Sequence, residues 1–436
     1  RRKPRAFDRR EEGQTDLIEY AEPLRYRSFL YYCGTRTATS LAWQMVGVAV
    51  GWQMYDLTRS ALALGFVGLA QFAPLLLLVF VIGHVADRFD RRHIARACEL
   101  VEALAVIVLC VATLDGAIQP ALIYAMVVLL GVGRAFESPA SSALLPNLVP
   151  ANIIPAASAR AATAQQVSSI SGPAIGGILY AWHPWIPYGV AGAMFVAAAV
   201  LMTLMRTRGT SAVTSGPPTR DSVFAGLKFI RETPLVLGAI TLDLFAVLLG
   251  GATALLPIYA RDILMIGPWG LGLLRTAPAV GALTLSLFFG RHPIRRHAGR
   301  IMFAAVATFG IATVVFGLSH WFWLSFAALV FLGASDVVSV VIRSSLVAIL
   351  TPDVMRGRVN AVNSLFIGTS NQAGEFESGV TAALLGPVGA VVLGGFGTIL
   401  VAVIFFRLFP ALAKIDAVTD AAAPGIVRRL ASKPVL

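Results

Sequence analysis

The chain has 436 residues, 57% of them apolar and only 13% charged, with a formal net charge of +12. Its mean hydropathy is +0.76. Soluble domains carry roughly 25% charged residues, so this composition excludes a water-soluble globular class. Apolar stretches of about 20 residues, long enough to cross a bilayer, recur along the whole chain.

Residues 1–27 are charged and lack an apolar core, so they read as a cytoplasmic tail rather than a cleavable signal. Six crossings follow within 28–206, near Phe29–Tyr55, Leu62–His84, Ile94–Leu114, Pro120–Ser141, Ala157–Tyr180 and Ile186–Arg206. The first and fifth are the most polar: one carries Arg36, and the other is rich in Ser, Ala and Gln. Residues 207–234 form a linker that is rich in Gly, Ser, Thr and Pro and then amphipathic. There Asp221 caps a short helix whose Val223, Phe224, Leu227 and Ile230 share a face, as expected of a strut on the inner membrane surface. Six more crossings fill 235–409, near Leu235–Tyr259, Pro268–Gly290, Arg300–Ser319, Trp321–Ser344, Asn360–Leu384 and Pro387–Phe409. A cytoplasmic tail, 410–436, closes the chain. The predicted fold is an all-α membrane protein of twelve transmembrane helices in two six-helix bundles.

The halves repeat each other. Ala73-Pro74 and Arg91-Arg92-His93 recur as Ala277-Pro278 and Arg295-Arg296-His297, each 204 residues on (278 − 74 and 295 − 91). Gly131 and Gly172-Pro173-Ala174-Ile175-Gly176-Gly177 match Gly333 and Gly374-Glu375-Phe376-Glu377-Ser378-Gly379, each 202 residues on (333 − 131 and 374 − 172). Tandem membrane bundles of like orientation are how many secondary transporters are built, with the substrate path between them.

Charge encodes orientation. With both termini on one side, nearly all Lys and Arg of tails and loops collect there, and the opposite side keeps Arg59 and Arg261. That arrangement predicts an integral multi-pass protein of the plasma (bacterial inner) membrane with both termini cytoplasmic. None of the four lysines, Lys3, Lys228, Lys414 and Lys433, follows a glycine, so the phosphate-cradling loop of ATP-driven pumps is missing. Uphill transport then needs an ion gradient or a partner to supply the work. No metal-ligand or disulfide spacing is present, so we expect no cofactor, no metal and no nucleic-acid partner.

The loop Gly83-His84-Val85-Ala86-Asp87-Arg88-Phe89-Asp90-Arg91-Arg92 resembles the pattern G-x-L-A-D-R-x-G-R-R of the major facilitator superfamily. Val85 and Asp90 depart from that pattern. The resemblance implies a gating loop built on Gly83, Asp87, Arg88, Arg91 and Arg92, with Asp87 facing the start of helix 11 near Arg358–Asn360. Gly172, Pro173, Gly176 and Gly177 resemble the helix 5 motif of the superfamily's proton-coupled antiporters, a pliable seam of small residues around a proline. A plain packing seam is the alternative. The stretch from Gly133 to Pro150, with Gly374–Gly379, resembles the enterobactin-exporter and multidrug-efflux branch. That implies proton-coupled export of a small amphipathic, siderophore or drug-like molecule by alternating access, the protein working as a monomer. A proton-driven importer and a non-transporting sensor or assembly protein are the alternatives, and an enzyme is not expected.

Ionised side chains at the bilayer centre cost roughly 2.5–3.5 kcal/mol each and need partners or water. The resemblance puts helices 1, 4, 7 and 10 around the cavity. We therefore expect an Arg134–Asp336 pair across its cytoplasmic half, closed in one state and broken in the other, and a second pair Arg36–Asp243, with a local pairing of Arg134 to Glu137 or Ser138 as the rival. Asp243, Asp336, Glu375 and Glu377 are candidate proton carriers, or else neutralisers of Arg36, Arg134, Arg275 and Arg343. Trp43, Trp52, Tyr55, Phe72, Phe136 and Phe245 are candidates to line the cavity, or to pack against helices and lipid.

Overall fold

A computed structural model describes residues 22–206, 220–292, 294 and 296–416, so both predicted tails lie largely outside them and the first 13 residues of the linker (207–219) do too. Long helices dominate: α1 Arg27–Thr58, α2 Ala61–Arg88, α3 Arg91–Leu114, α4 Pro120–Ser142, α5 Ile154–Trp182 and α6 Ile186–Leu204 in the first half. The second half has α7 Pro234–Ile263, α8 Gly267–Arg291, α9 Ala298–Leu318 and α10 Phe322–Leu350. Its last helix, Asp353–Leu408, breaks at Gly386, whose φ of 78° and ψ of 162° are open to glycine almost alone. That break, followed by Pro387, divides it into α11 (353–385) and α12 (387–408).

Among the described residues nine stretches are long and apolar enough to cross a membrane. The joined α11–α12 is one of them; α1 and α5 are long enough but too polar to qualify. Counting those two and dividing the joined helix, the arrangement is consistent with twelve crossings. Outward faces carry bare apolar side chains such as Leu77, Leu104, Val200, Phe396 and Leu400, as a lipid-facing surface requires.

Both halves use one packing plan. In the first, α1 packs on α5 and α6, α3 on α4 and α6, and α2 on α4; in the second, α7, α8, α9, α10, α11 and α12 repeat those pairings. The repeated proline and glycine meet at the same place in each. A Cβ on Gly131 would lie 2.3 Å from the Gln71 carbonyl and 3.2 Å from Pro74; one on Gly333 would lie 2.0 Å from the Pro278 carbonyl. A proline inside a helix removes one backbone hydrogen bond, and a glycine lets the neighbouring backbone close over that turn.

The halves meet along two symmetric seams. Helix α5 meets α8 at Gly177 and Gly272, where a Cβ on Gly177 would lie 2.9 Å from the Gly272 Cα, and Thr276 donates to the Ile170 carbonyl at 2.9 Å. Helix α2 meets α11 at Gly65 and Gly379 in the same backbone-to-backbone fashion. Both seams lie toward the end away from the termini, here called the outer end. There α7 ends irregularly, in a 3₁₀ segment Ala252–Leu255 and a π turn Tyr259–Ile263. The π turn carries Arg261 and Asp262 to the end of α1, where Arg261 pairs with Asp56, the Tyr55 hydroxyl donates to Asp262, and Arg59 lies 3.5 Å from Asp262. This four-charge clasp closes the outer end, and a broad cavity opens at the inner one.

The linker helix Arg220–Glu232 docks on the second bundle. Its Ile230 and Leu227 dock on Val236, Ile240, Val347, Val359 and Val362, and Phe224 points outward, so its apolar face is committed mainly to protein.

Two outcomes follow. Gly333→Ala should lower the melting temperature in detergent, by an overpacking cost of about 1–3 kcal/mol, whereas Gly290→Ala, where a Cβ meets nothing within 4 Å, should not. Reversing Arg261 to Glu should raise thiol labelling of a cysteine placed at Ala254, and adding Asp56→Arg should restore protection. The shift should be a few-fold, since half-exposed pairs contribute about 0.2–1 kcal/mol.

Candidate functional site

Between the halves lies a chamber of about 480 Å³ that passes into an inner vestibule of about 930 Å³. Gln71, Arg134, Gln372 and Glu375 line both, which makes them one continuous space. The chamber wall is polar for a membrane interior. Ser40, Gln44, Gln165, Ser169 and Thr253 offer hydroxyls and amides, Trp43 offers an aromatic face, and Arg134, Arg275 and Glu375 offer charge. Arg275 of α8 reaches to Gly47 of α1, where a Cβ would lie 2.9 Å from its Nη1. Glu375 of α11 reaches to Gly68 of α2 in the same way. Each thus spans from the second bundle to the first. The Arg134 guanidinium sits 5.4 Å from the Trp43 ring centroid, within cation–π range.

In this inward-open conformation the ion pairs are made within each bundle, with those expected across the cavity apart. Arg134 lies 3.2 Å from Glu137, its rival partner three residues on, and Arg36 reaches the same carboxylate at 3.5 Å while also donating to Gln165 at 3.4 Å. Asp243 pairs with Arg343 at 2.5 Å, both buried. Asp336 borders Asp243 in a small pocket and opens on a cavity of about 310 Å³ shared with Glu375. The physical reason is geometric. With the inner ends apart, an acid on the same bundle is nearer to each of these bases than one across the gap.

Other predicted site residues take varied places. Gly83 and Arg91 line the vestibule, and Arg88 is exposed. Arg91 and Arg92 donate to the carbonyls of Ala143 at 3.4 Å and Met205 at 2.6 Å, tying the loop to α4 and α6. The Asp87 side chain lies outside the described residues. Asp90, where the superfamily pattern has Gly, accepts from the Arg92 amide at 2.8 Å and so caps α3. Gly172 and Gly176 face α1 at Gln44 and Met45, Gly177 faces α8, and the Pro173 carbonyl approaches Gly272, so the motif packs α5 between the bundles. Glu377 turns from the chamber and accepts from Thr381 at 2.7 Å. Trp43 and Phe72 line the cavity; Trp52 and Tyr55 are buried near the outer clasp, Phe136 packs inside the first bundle, and Phe245 lies against Phe405.

Sequence reasoning missed the clasp acids Asp56 and Asp262. The repeat held the signal: Asp56 and Arg59 stand about one repeat length before Arg261 and Asp262, with the order of charges inverted. Glu99 and Glu102 of α3 are both fully buried.

Comparison with known proteins agrees with this geometry. The family model described as transmembrane secretion effector matches residues 19–430. The enterobactin exporter EntS of Shigella dysenteriae serotype 1 is 26% identical over 373 residues, covering 83% of this chain and 86% of that protein. EntS of Citrobacter koseri is 27% identical over 383 residues, covering 84% and 87%. Among solved structures, a bacterial homologue of the human lysosomal transporter Spinster, inward-facing and unoccupied, superposes with a TM-score of 0.66 at 13% identity over 93% of this chain and 98% of that one. The nucleoside transporter NupG superposes at 0.62 with 12% identity, over 89% and 99%. With a matched span of 412 residues (19–430), two like bundles and a chamber between them, the chain belongs to the transmembrane secretion effector family of major facilitator superfamily transporters.

Proposed function

We propose that this transporter is a proton-coupled exporter of a small, amphipathic, hydrogen-bonding aromatic molecule, siderophore-like or drug-like, working as a monomer in the bacterial inner membrane by alternating access. The observation that carries the reading is the chamber: sealed at the outer end, open at the inner end, and lined by amides, hydroxyls, Trp43, Arg134, Arg275 and Glu375. Such a wall suits a cargo with phenolic or amide oxygens and an aromatic body, because each buried polar group of the cargo then finds a partner. The EntS relatives are enterobactin exporters by name, which favours siderophore chemistry and the outward direction. With both termini cytoplasmic, the open end faces the cell interior, where an exporter loads.

In this reading the bundles 28–206 and 235–409 rock about the α5–α8 and α2–α11 seams, tethered by 207–234. The loop of Gly83, Asp87, Arg88, Arg91 and Arg92 and the glycines around Pro173 act in that movement. Buried acids, among them Asp243, Asp336, Glu375 and Glu377, are where a proton would ride.

Everted membrane vesicles test the proposal, with enterobactin and ethidium as probes. Energised vesicles should accumulate one of them, and a protonophore should stop it. Accumulation indifferent to the pH gradient, or movement in the opposite direction, would overturn proton-coupled export. For the accumulated probe, Arg134→Ala and Arg275→Ala should each raise KM about tenfold or more, since a hydrogen bond to a charged group contributes about 1.5–3 kcal/mol.

A further inference from the structure

Behind the chamber wall, between α3 and α4, lie three carboxyls that transport by the cavity residues does not use. Glu99, Glu102 and Glu137 are each fully buried. Glu137 holds both Arg36 and Arg134. Neither oxygen of Glu99 or of Glu102 has a hydrogen-bond partner among the described residues. Room for Glu102 is left by Gly133, where a Cβ would lie 2.6 Å from the Glu102 Cγ. The indole N–H of Trp43, itself buried, stands beside Glu102 without reaching hydrogen-bond geometry.

From α1 come Arg36, Tyr32, Cys33 and Trp43; from α4 come Arg134 and Glu137; on α3 itself lies Cys98; from α5, Gln165 accepts from Arg36 and Arg160 acts on Cys33. Helix α6, which also packs on α3, carries no charged residue. Among the described residues, the guanidiniums of Arg36 and Arg134 act directly on these three carboxyls. Fully ionised, the cluster carries one uncompensated negative charge in a membrane interior, where a charge without a partner costs several kcal/mol. One proton makes it neutral.

We infer that the Glu99–Glu102–Glu137 cluster is a proton-binding site of this carrier, set one side-chain layer behind the cargo chamber and joined to it by Arg134 and Trp43. The inference rests on the proposal of proton coupling and names the site, distinct from the four acids singled out from the sequence. A proton from water on one side forms an O–H bond on a carboxylate oxygen of Glu99 or Glu102; the same bond breaks to water on the other side, and no further reactant is needed. Arg134 and Trp43 belong both to the cluster and to the chamber wall. Loading or unloading the proton therefore changes the charge directly behind the cargo.

Infrared difference spectroscopy on the whole carrier in lipid, between acid and alkaline buffer, reads the site without any cargo. The wild type should show a protonated-carboxyl band, and Glu99→Gln or Glu102→Gln should each remove or shift one component that Glu377→Gln leaves in place. A band unchanged by both substitutions overturns the inference. In proteoliposomes, with enterobactin or ethidium as whichever probe the vesicles accumulate, the same two variants should lose the response to an imposed pH gradient yet keep exchange at equal pH. Full gradient response in both also overturns it. If the wild type itself ignores the gradient, proton coupling has failed as a function, and the infrared band still decides the site. Should the glutamine variants not fold, Arg134→Lys keeps all three carboxyls and should shift the midpoint of the band by about one pH unit; an unmoved midpoint again counts against the site.

Discussion

In a bilayer no hydrophobic force draws one helix to another, because lipid tails are as apolar as leucine. What holds these two bundles together must therefore be close packing and interhelical hydrogen bonds, and their backbones come closest where Gly177 meets Gly272 and Gly65 meets Gly379. Both contacts lie on the outer half of the molecule, and together they make it a pair of jaws joined at one end. Everything else depends on that placement: the chamber opens inward because the seams close outward. The clasp of Asp56, Arg59, Arg261 and Asp262 sits at the rim of those jaws. Half-exposed charges are weak holders, so this contact breaks at low cost.

The interior charges follow the same logic. Arg36 and Arg134 find Glu137 within the first bundle, and Asp243 finds Arg343 within the second. Each bundle is thus electrically organised on its own and can move without stranding a bare charge in lipid. The chamber retains Arg134, Arg275 and Glu375 at its surface, where water or cargo can satisfy them. Glu99 and Glu102 stand apart from this scheme because both lie buried without a partner among the described residues.

Much of this was legible in the residues. Gly131 with Pro74, and Gly333 with Pro278, announced the repeat, and they are the points where backbone meets backbone in both halves. The polarity of α1 and α5, which weakened them as apolar spans, marks the two helices that supply Arg36, Ser40, Gln44, Gln165 and Ser169 to the cluster and the chamber. The charge pairs were legible only in part, Arg134–Glu137 having stood as the rival pairing. Equivalence in a repeat gives depth in the membrane but not distance across a gap, so Arg134 and Asp336 looked like partners while Glu137 was three residues away. The burial of Glu99 and Glu102 was also hidden, because a helix end rich in arginine suggests water, and only the packing of α4 at Gly133 shows otherwise.

The central claim is that two rigid bundles pivot so that inner and outer ends open by turns. Spin-label distances in lipid nanodiscs test it most directly, with native Cys33, Cys98 and Cys110 replaced by serine. One label pair would sit at Ser142 and Ser364 on the inner end, the other at Leu57 and Met265 on the outer end. Across acid and neutral pH, with and without enterobactin or ethidium, two populations should exchange: one with a long inner and short outer distance, the other reversed. A single fixed pair of distances, or inner and outer distances that lengthen together, would contradict the account.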